Sequence, residues 1–473
     1  MGACNGDVGA AAVCDADAGA WVCPAGSVSS DQCSGAPFCA GDQPAPLCEK
    51  QLGVCAGSRH RWFPDGGVDP SCDYGPNYEV LETRCDGLDN DCDGETDRRW
   101  SFVLSYQEPY GWYQHDVIET DSGYLSAIAT PAGTPVLKYF DRDLRPSRPD
   151  VFVTGWDGGV ARRVKFTRTA DGVMMSIAGY QTPRWLATAR LDGDGVPRTG
   201  GAPALSWIPL SDLSYLNTSA PSSDGTRVLS LFGARTDIIA LLQDSQGNLV
   251  AGPTPVMTRS AQWTDFIAAN AVVGTGPDRF LFVGYQNNTS MSYEVDPVVL
   301  RVQELSGDLS LRGPERDIRS GSFPGSVLFP PTASGAVPML FGSSSWDMPI
   351  IFPVRWIPDV LDAGYDAGTI WAGGTWGAFS MDAQPSGDGF ELAWEDISYE
   401  SDGLYHWTVW DESVPDAGVN LNPGGAAFLS PTLPPEIKNL QLRRGRPGTW
   451  VAFVPHSSFD GGIELRAVTY CQP

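Results

Sequence analysis

The chain has 473 residues, more than one core normally holds, and 42% of them are hydrophobic, as in a folded rather than a disordered protein. Its 57 acidic against 31 basic residues give a formal net charge of −26, which excludes the clustered cations of a nucleic-acid or anionic-membrane binder. There is no apolar run of about 20 residues, so no membrane span is expected.

Residues 1–97 read as a Cys-rich module. All but one of the 11 cysteines lie there: Cys4, Cys14, Cys23, Cys33, Cys39, Cys48, Cys55, Cys72, Cys85 and Cys92; the other is Cys471. Such density in a loop-rich segment with little apolar content predicts a mostly irregular disulfide framework, made in an oxidising compartment. A zinc module is the weaker reading, because no CxxC pair occurs and His60 is the segment's only histidine. Met1-Gly2 is read as standing in place of a removed export signal. Gly2-Ala3-Cys4 looks like the end of a lipoprotein signal, where Cys takes a lipid anchor, although no apolar run precedes it.

The run Cys85-Asp-Gly-Leu-Asp-Asn-Asp-Cys-Asp-Gly-Glu-Thr-Asp97 carries the clearest chemistry. Asp89, Asp91 and Asp93 alternate and Gly94 follows, the D-x-D-x-D-G spelling of a calcium loop. Alternate carboxylates on a tight loop bring several hard oxygens to one point, as calcium requires. Glu95 is expected to add its carbonyl, and Asp97 a carboxylate, directly or through water. The bidentate Glu that closes an EF-hand loop is replaced by Trp100, so a further ligand is sought in Glu82 or Asp86.

The run Cys-Asp-Gly-Leu-Asp-Asn-Asp-Cys-Asp-Gly resembles the MopE-type metal-binding motif repeat of exported bacterial proteins. Tyr74-Gly-Pro-Asn-Tyr-Glu79 and the stretch from Cys48 through Cys55-Ala-Gly57 are similar to its upstream part. The resemblance covers roughly residues 46–97 and implies a Cys85–Cys92 disulfide bracketing the loop. Family members often carry a Cys near Trp62, where this chain reads Arg-Trp-Phe, a departure that leaves the local pairing open. Copper, which the family's name suggests, needs soft or imidazole ligands that His60 alone does not supply.

From residue 98 the composition changes to short apolar runs separated by Gly, Asp and Pro. A turn built on Gly123, Gly172, Gly225, Asp278, Gly335, Gly389 or Gly448 leads each time into a strand-like run: Tyr124-Leu-Ser-Ala-Ile, Val173-Met-Met-Ser-Ile, Arg227-Val-Leu-Ser-Leu, Phe280-Leu-Phe-Val, Val337-Pro-Met-Leu-Phe, Phe390-Glu-Leu-Ala-Trp and Trp450-Val-Ala-Phe-Val. A further strand follows and ends on Asp141, Asp192, Asp244, Glu304, Asp359 or Asp411, and at Tyr470 in the last copy. Seven copies of roughly 50 residues predict an all-β, seven-bladed β-propeller over 98–473, one four-stranded sheet per blade. The last copy has no room for its fourth strand. The orphan strand Trp100–Tyr106 is expected to complete it and so remove an open edge. That pairing would bring Cys471 beside Trp100 and predicts a disulfide from Cys471 into the Cys-rich module.

Catalytic signatures are thin. The chain has four histidines (His60, His115, His406, His456) and no nucleophile elbow, phosphate loop or HExxH. No catalytic residue is assigned, and the acids at the copy ends are expected to shape turns. Of 16 tryptophans, most are expected to pack between blades; Trp371 and Trp376 fall in a Gly-rich stretch read as a loop. The reading is an extracellular or cell-surface protein, secreted or surface-held and stabilised by calcium. It acts in interaction or assembly, as an adhesin or a subunit of an appendage, with a protein or glycan partner. The alternative is a lectin or polysaccharide-active enzyme using the propeller funnel.

Overall fold

The computed structural model describes residues 13–15, 20–22, 45–62, 68–80, 84–94, 96, 98–106, 115–129, 133–156, 161–179, 185–198, 201–210, 215–233, 237–258, 267–286, 298–320, 323–330, 337, 339–344, 353–357, 360–361, 368–372, 378–386, 389–397, 402–409, 440–457 and 463–471. The chain divides into two compact units: residues 1–99 with 469–472, and 100–468 with 473.

The first unit holds little regular structure. Strands β1 (Val13–Asp15) and β2 (Ala20–Val22) pair, as do β3 (His60–Trp62) and β4 (Val68–Cys72). A 3-10 turn, Gly53–Cys55, lies between the two pairs. Strand β5 (Arg98–Tyr106) begins at the end of this unit, and its residues from Trp100 on belong to the second.

The second unit is built of successive antiparallel sheets with strands in chain order. The first contains β6 (Asp116–Glu119), β7 (Gly123–Ala129), β8 (Pro135–Asp141) and β9 (Val151–Phe152). The second contains β10 (Ala161–Thr169), β11 (Gly172–Gly179), β12 (Trp185–Leu191) and β13 (Ser206–Pro209). The third contains β14 (Tyr215–Pro221), β15 (Arg227–Gly233), β16 (Asp237–Asp244) and β17 (Leu249–Thr258). The fourth contains β18 (Ile267–Gly276), β19 (Arg279–Gln286), β20 (Val298–Ser306) and β21 (Leu311–Ser320). The fifth contains β22 (Phe323–Leu328), β23 (Met339–Ser344), β24 (Pro353–Ile357) and β25 (Gly368–Ala372). The sixth has three described strands, β26 (Ala378–Ser386), β27 (Gly389–Ile397) and β28 (Asp402–Val409). The last runs β29 (Gln441–Arg444), β30 (Thr449–Ser457), β31 (Ile463–Cys471), with β5 as its fourth strand. A strand from the start of the chain thus covers the edge that β31 would otherwise leave open.

The first strand of each sheet packs on the first strand of the next, from β6 to β10, β14, β18, β22, β26 and β29, and β29 returns to β6. Such a closed ring of sheets is a β-propeller. Its core lies between neighbouring sheets. Leu125 and Ala127 of β7 join Val173, Met175 and Ile177 of β11 in one cluster. Tyr124 and Ile128, on the opposite face of β7, join Val451 and Phe453 of β30. Phe232 and Leu241 meet Leu186 and Ile208; Leu229 and Leu231 meet Phe280 and Phe282; Leu281 and Val283 meet Val327 and Met339. Because both faces of the second strand are buried in the first four sheets, the sequence there is a nearly continuous apolar run.

In the first four sheets the third and fourth strands are joined by the same five-residue turn. In Asp141–Arg145, Asp192–Val196, Asp244–Asn248 and Ser306–Ser310 the first N–H donates to the fifth carbonyl, and the fourth N–H to the first carbonyl. The fourth residue, Leu144, Gly195, Gly247 or Leu309, is left-handed, with φ from 63 to 83°. Oδ1 of Asp141, Asp192 and Asp244 accepts the N–H groups two and four residues on, at 2.8–2.9 Å, so these acids do shape turns. The expectation for Glu304 is corrected. It lies inside β20, and the turn two residues later uses Ser306 with Asp308, whose Oδ1 accepts Ser310 N–H at 3.0 Å. Leu144 and Leu309 are 6% and 4% exposed, and burial of a leucine, about 2 kcal/mol, offsets the roughly 1 kcal/mol of left-handed strain.

Candidate metal centre

The loop from Asp86 to Gly94 is held from three sides by its backbone. The Asp89 carbonyl accepts Val54 N–H at 3.0 Å, the Asn90 carbonyl accepts Glu79 N–H at 2.9 Å, and the Asp91 carbonyl accepts the Lys50 ammonium. The Asn90 side chain, fully buried, donates to the Asn77 carbonyl at 2.9 Å. With three successive carbonyls turned to the scaffold, the carboxylates of Asp89, Asp91 and Asp93 converge. Their oxygens lie within 4.8 Å of one another. Asp93 N–H donates to Asp89 Oδ1 (3.2 Å) and Asp91 Oδ1 (3.3 Å), and Gly94 N–H to Asp89 Oδ2 (3.0 Å), which fixes the curl of the loop. Asp89 and Asp91 are buried (both 7% exposed) while Asp93 is exposed.

Three carboxylates drawn together at a half-buried point, with no thiolate or imidazole among them, match a hard divalent cation in donor chemistry. Glu95 and Asp97, expected to complete the set, lie outside the described residues, as does Glu82. Asp86 does not belong to the converging group of three carboxylates. Its Oδ1 accepts Leu88 N–H at 3.0 Å and its Oδ2 lies 3.4 Å from the Asn90 amide.

The disulfides correct the expectation drawn from the family resemblance. Cys92 bonds Cys55, not Cys85, and Cys48 bonds Cys72. The physical reason is the contact between the 3-10 turn and the loop. Val54 N–H on the Asp89 carbonyl brings Cys55 to a Cα–Cα distance of 6.0 Å from Cys92, and both cysteines are buried. Cys92 sits at φ 62°, a conformation uncommon outside glycine. Cys85 is also disulfide-bonded. The side chain of Cys471 lies outside the described residues.

Residues that the sequence did not single out also build this centre. Gly53 packs directly on Asp89: at φ 50°, a Cβ there would stand 2.2 Å from the Asp89 carbonyl oxygen and 2.5 Å from its Cβ and Cγ. Lys50 closes the other side and lies 5.2 Å from the Tyr78 ring centroid. Both approach the loop from about 40 residues away in the chain, so no local spacing signals them. His60 comes within 3.4 Å of Cys72 Sγ, and with Cys48 and Cys72 it forms a second metal-type grouping. Those two sulfurs are bonded to each other, which removes the thiolates a zinc site would need.

The inner ring of the propeller is the second place where acids gather. Asp116 Oδ2 accepts Phe166 N–H at 2.6 Å, and its Oδ1 accepts the Gln441 amide and lies 3.5 Å from Lys165 Nζ. Asp382 Oδ2 accepts Leu442 N–H at 2.8 Å and pairs with Arg443 at 2.7 Å. Both carboxylates therefore join neighbouring sheets. Among the described residues, the carboxyls whose acidity is clearly displaced, Asp69, Asp171, Asp224 and Asp308, are all displaced downward, first of all by a serine hydroxyl donating to each. A general acid for glycoside cleavage needs the opposite displacement. Aromatic side chains pack between sheets: Trp156 and Trp207 stack at 5.3 Å against the core of the first two sheets, and Tyr124 meets Phe453 edge-on. Trp371 lies in β25, which corrects its reading as a loop residue; Trp376 lies outside the described residues.

No helix among the described residues is long and apolar enough to cross a membrane. No protein-family model and no curated protein matches the chain. Among solved structures, the chain is similar to the β-propeller domain of the Trilobed protease from Pyrococcus furiosus (TM-score 0.39, 10% identity, 78% of this chain and 96% of that one). It is also similar to the Cps50 (Swd1) β-propeller domain of Myceliophteria thermophila (TM-score 0.41, 12% identity, 78% and 99%) and to Kuenenia stuttgartiensis hydrazine synthase (TM-score 0.43, 11% identity, 74% and 94%).

Proposed function

We propose that this chain is an extracytoplasmic interaction or assembly protein, an adhesin or appendage subunit without catalytic activity. In this reading a disulfide-built calcium module is joined to a seven-bladed β-propeller, the seven sheets being its blades. The observation that carries the calcium reading is the convergence of Asp89, Asp91 and Asp93 within 4.8 Å on a loop whose three successive carbonyls, from Asp89 to Asp91, are turned to the scaffold. Calcium held by these three, with the Glu95 carbonyl and Asp97 as further ligands, would neutralise the repulsion among them. The Cys55–Cys92 and Cys48–Cys72 bridges support an oxidising compartment, hence secretion or the cell surface. The net charge of −26 and the acids committed to inter-sheet hydrogen bonds favour a rigid binding scaffold for a protein or glycan, and not for nucleic acid.

Elemental analysis of the purified protein, with melting in calcium and in EDTA, tests this. About one calcium per chain is expected. At free calcium 1,000-fold above Kd the module gains about 4 kcal/mol, a gain that EDTA or Asp91→Asn abolishes. A protein without bound calcium whose melting ignores EDTA reduces the loop to an acidic turn.

A further inference from the structure

The junction where the last sheet meets the first is held by buried polar side chains of its inner strands. Gln441 of β29 accepts Val117 N–H of β6 at 2.6 Å and returns its amide to Asp116. Asp116 in turn holds Phe166 N–H of β10, and Arg443 of β29 donates to the Val117 carbonyl (2.8 Å from Nε) while pairing with Asp382 of β26. One hydrogen-bonded chain therefore runs through four consecutive inner strands. Asp116, Val117 and Gln441 are 4%, 0% and 3% exposed. His115, 3% exposed, directly precedes Asp116.

The charged groups facing His115 come from every strand packed there. Asp116 is on its own strand, Lys165 on β10 and Arg443 on β29. Behind them, Arg163 of β10 acts on Asp116, and Asp382 of β26 holds Arg443. Two cations thus flank the imidazole against one carboxylate, whose oxygens already accept Phe166 N–H and the Gln441 amide. A proton on His115 would place a third positive charge in a dry junction.

We propose that the β29–β6 junction is an acid-released latch: neutral His115 lets the first and last sheets close, and protonation of its imidazole opens that junction ahead of the others. Burial pushes His115 down to about 4, and Lys165 and Arg443 act in the same sense against Asp116. An opened junction rehydrates the ring and returns it to its ordinary range, so acid favours the open form. By proton linkage, the opening equilibrium rises about 20-fold from pH 7 to pH 5.

Hydrogen exchange of the intact, calcium-loaded protein at pH 7 and pH 5, corrected for the intrinsic pH dependence of exchange, tests the latch. Peptides covering 115–119, 163–167 and 441–444 report the junction, and peptides covering 227–233 and 237–244 in the third sheet serve as the internal reference. The expected result is an increase of about 20-fold in opening at the junction with little change in the reference, and loss of that increase in His115→Gln. Equal loss of protection in both regions would overturn the latch in favour of general acid weakening. So would an acid response that survives His115→Gln. If that variant does not fold, the comparison of regions within the wild-type protein still decides.

Discussion

Gly53 opens the 3-10 turn and Gly57 follows it, and comparing their alanine variants isolates the contact with the metal loop. Both glycines are left-handed, at φ 50° and 83°. A Cβ on Gly57 meets nothing within 4 Å, so Gly57→Ala carries only the conformational penalty, about 1 kcal/mol. In Gly53→Ala the same penalty is joined by a methyl group 2.2 Å from the Asp89 carbonyl oxygen and 2.5 Å from Asp89 Cβ and Cγ. Backbone on both sides must move, which adds about 1–3 kcal/mol, for a total of about 2–4 kcal/mol. The same movement shifts the Asp89 carboxylate and the carbonyl that holds Val54 N–H. Calcium affinity, measured by titration calorimetry, is therefore expected to fall at least about tenfold (about 1.4 kcal/mol) in Gly53→Ala and to be nearly unchanged in Gly57→Ala. Urea unfolding gives the stability difference. If the two variants lie within about 0.5 kcal/mol of each other and bind calcium equally, Gly53 does not support Asp89 and the reasoning fails.

Removing the Cys55–Cys92 bridge, which spans 37 residues, frees the unfolded chain and is expected to cost about 3–4 kcal/mol in Cys55→Ala; peptide mapping without reductant should recover the Cys55–Cys92 pair, and a Cys85–Cys92 peptide would contradict the fold of the module. Asp116→Ala leaves the Phe166 N–H and the Gln441 amide without their buried acceptor and should lower stability by about 2–4 kcal/mol in denaturant, whereas exposed Asp150→Ala, which loses only its pairing with Lys138, should change it by less than about 1 kcal/mol. His115 is neutral when folded, and its unfolded form takes a proton first, near pH 6.5; its contribution is full above that value and is lost as pH falls toward 4, about 3 kcal/mol in all. Denaturant midpoints across that window should fall more steeply for wild type than for His115→Gln, and parallel curves would refute the assignment.

Signals that repeat over a few residues were readable from the sequence alone. Alternate aspartates at 89, 91 and 93 place their carboxylates on one side of a tight loop whatever surrounds it. The second strands of the first four sheets announced themselves because both of their faces are buried, which makes runs such as Tyr124–Ile128 and Val173–Ile177 apolar at regular intervals. Asp141, Asp192 and Asp244 are turn residues by local hydrogen bonding, and that too is a short-range property. The lone strand Trp100–Tyr106 stood out because no neighbouring run could pair with it, and β5 does lie beside β31.

Tertiary structure decided what depends on segments far apart in the chain. Cys92 could pair with several cysteines by spacing; the hydrogen bond from Val54 to Asp89 brings Cys55 to it. Gly53 and Lys50 matter to the loop only because a turn some 36–41 residues upstream is pressed against it. The junction of His115, Asp116 and Gln441 joins residues more than 320 positions apart, which become neighbours only when the ring closes. Local spacing dictates which groups share a turn or a face, whereas the choice of partner across the chain is made by burial and hydrogen-bond satisfaction of the whole fold.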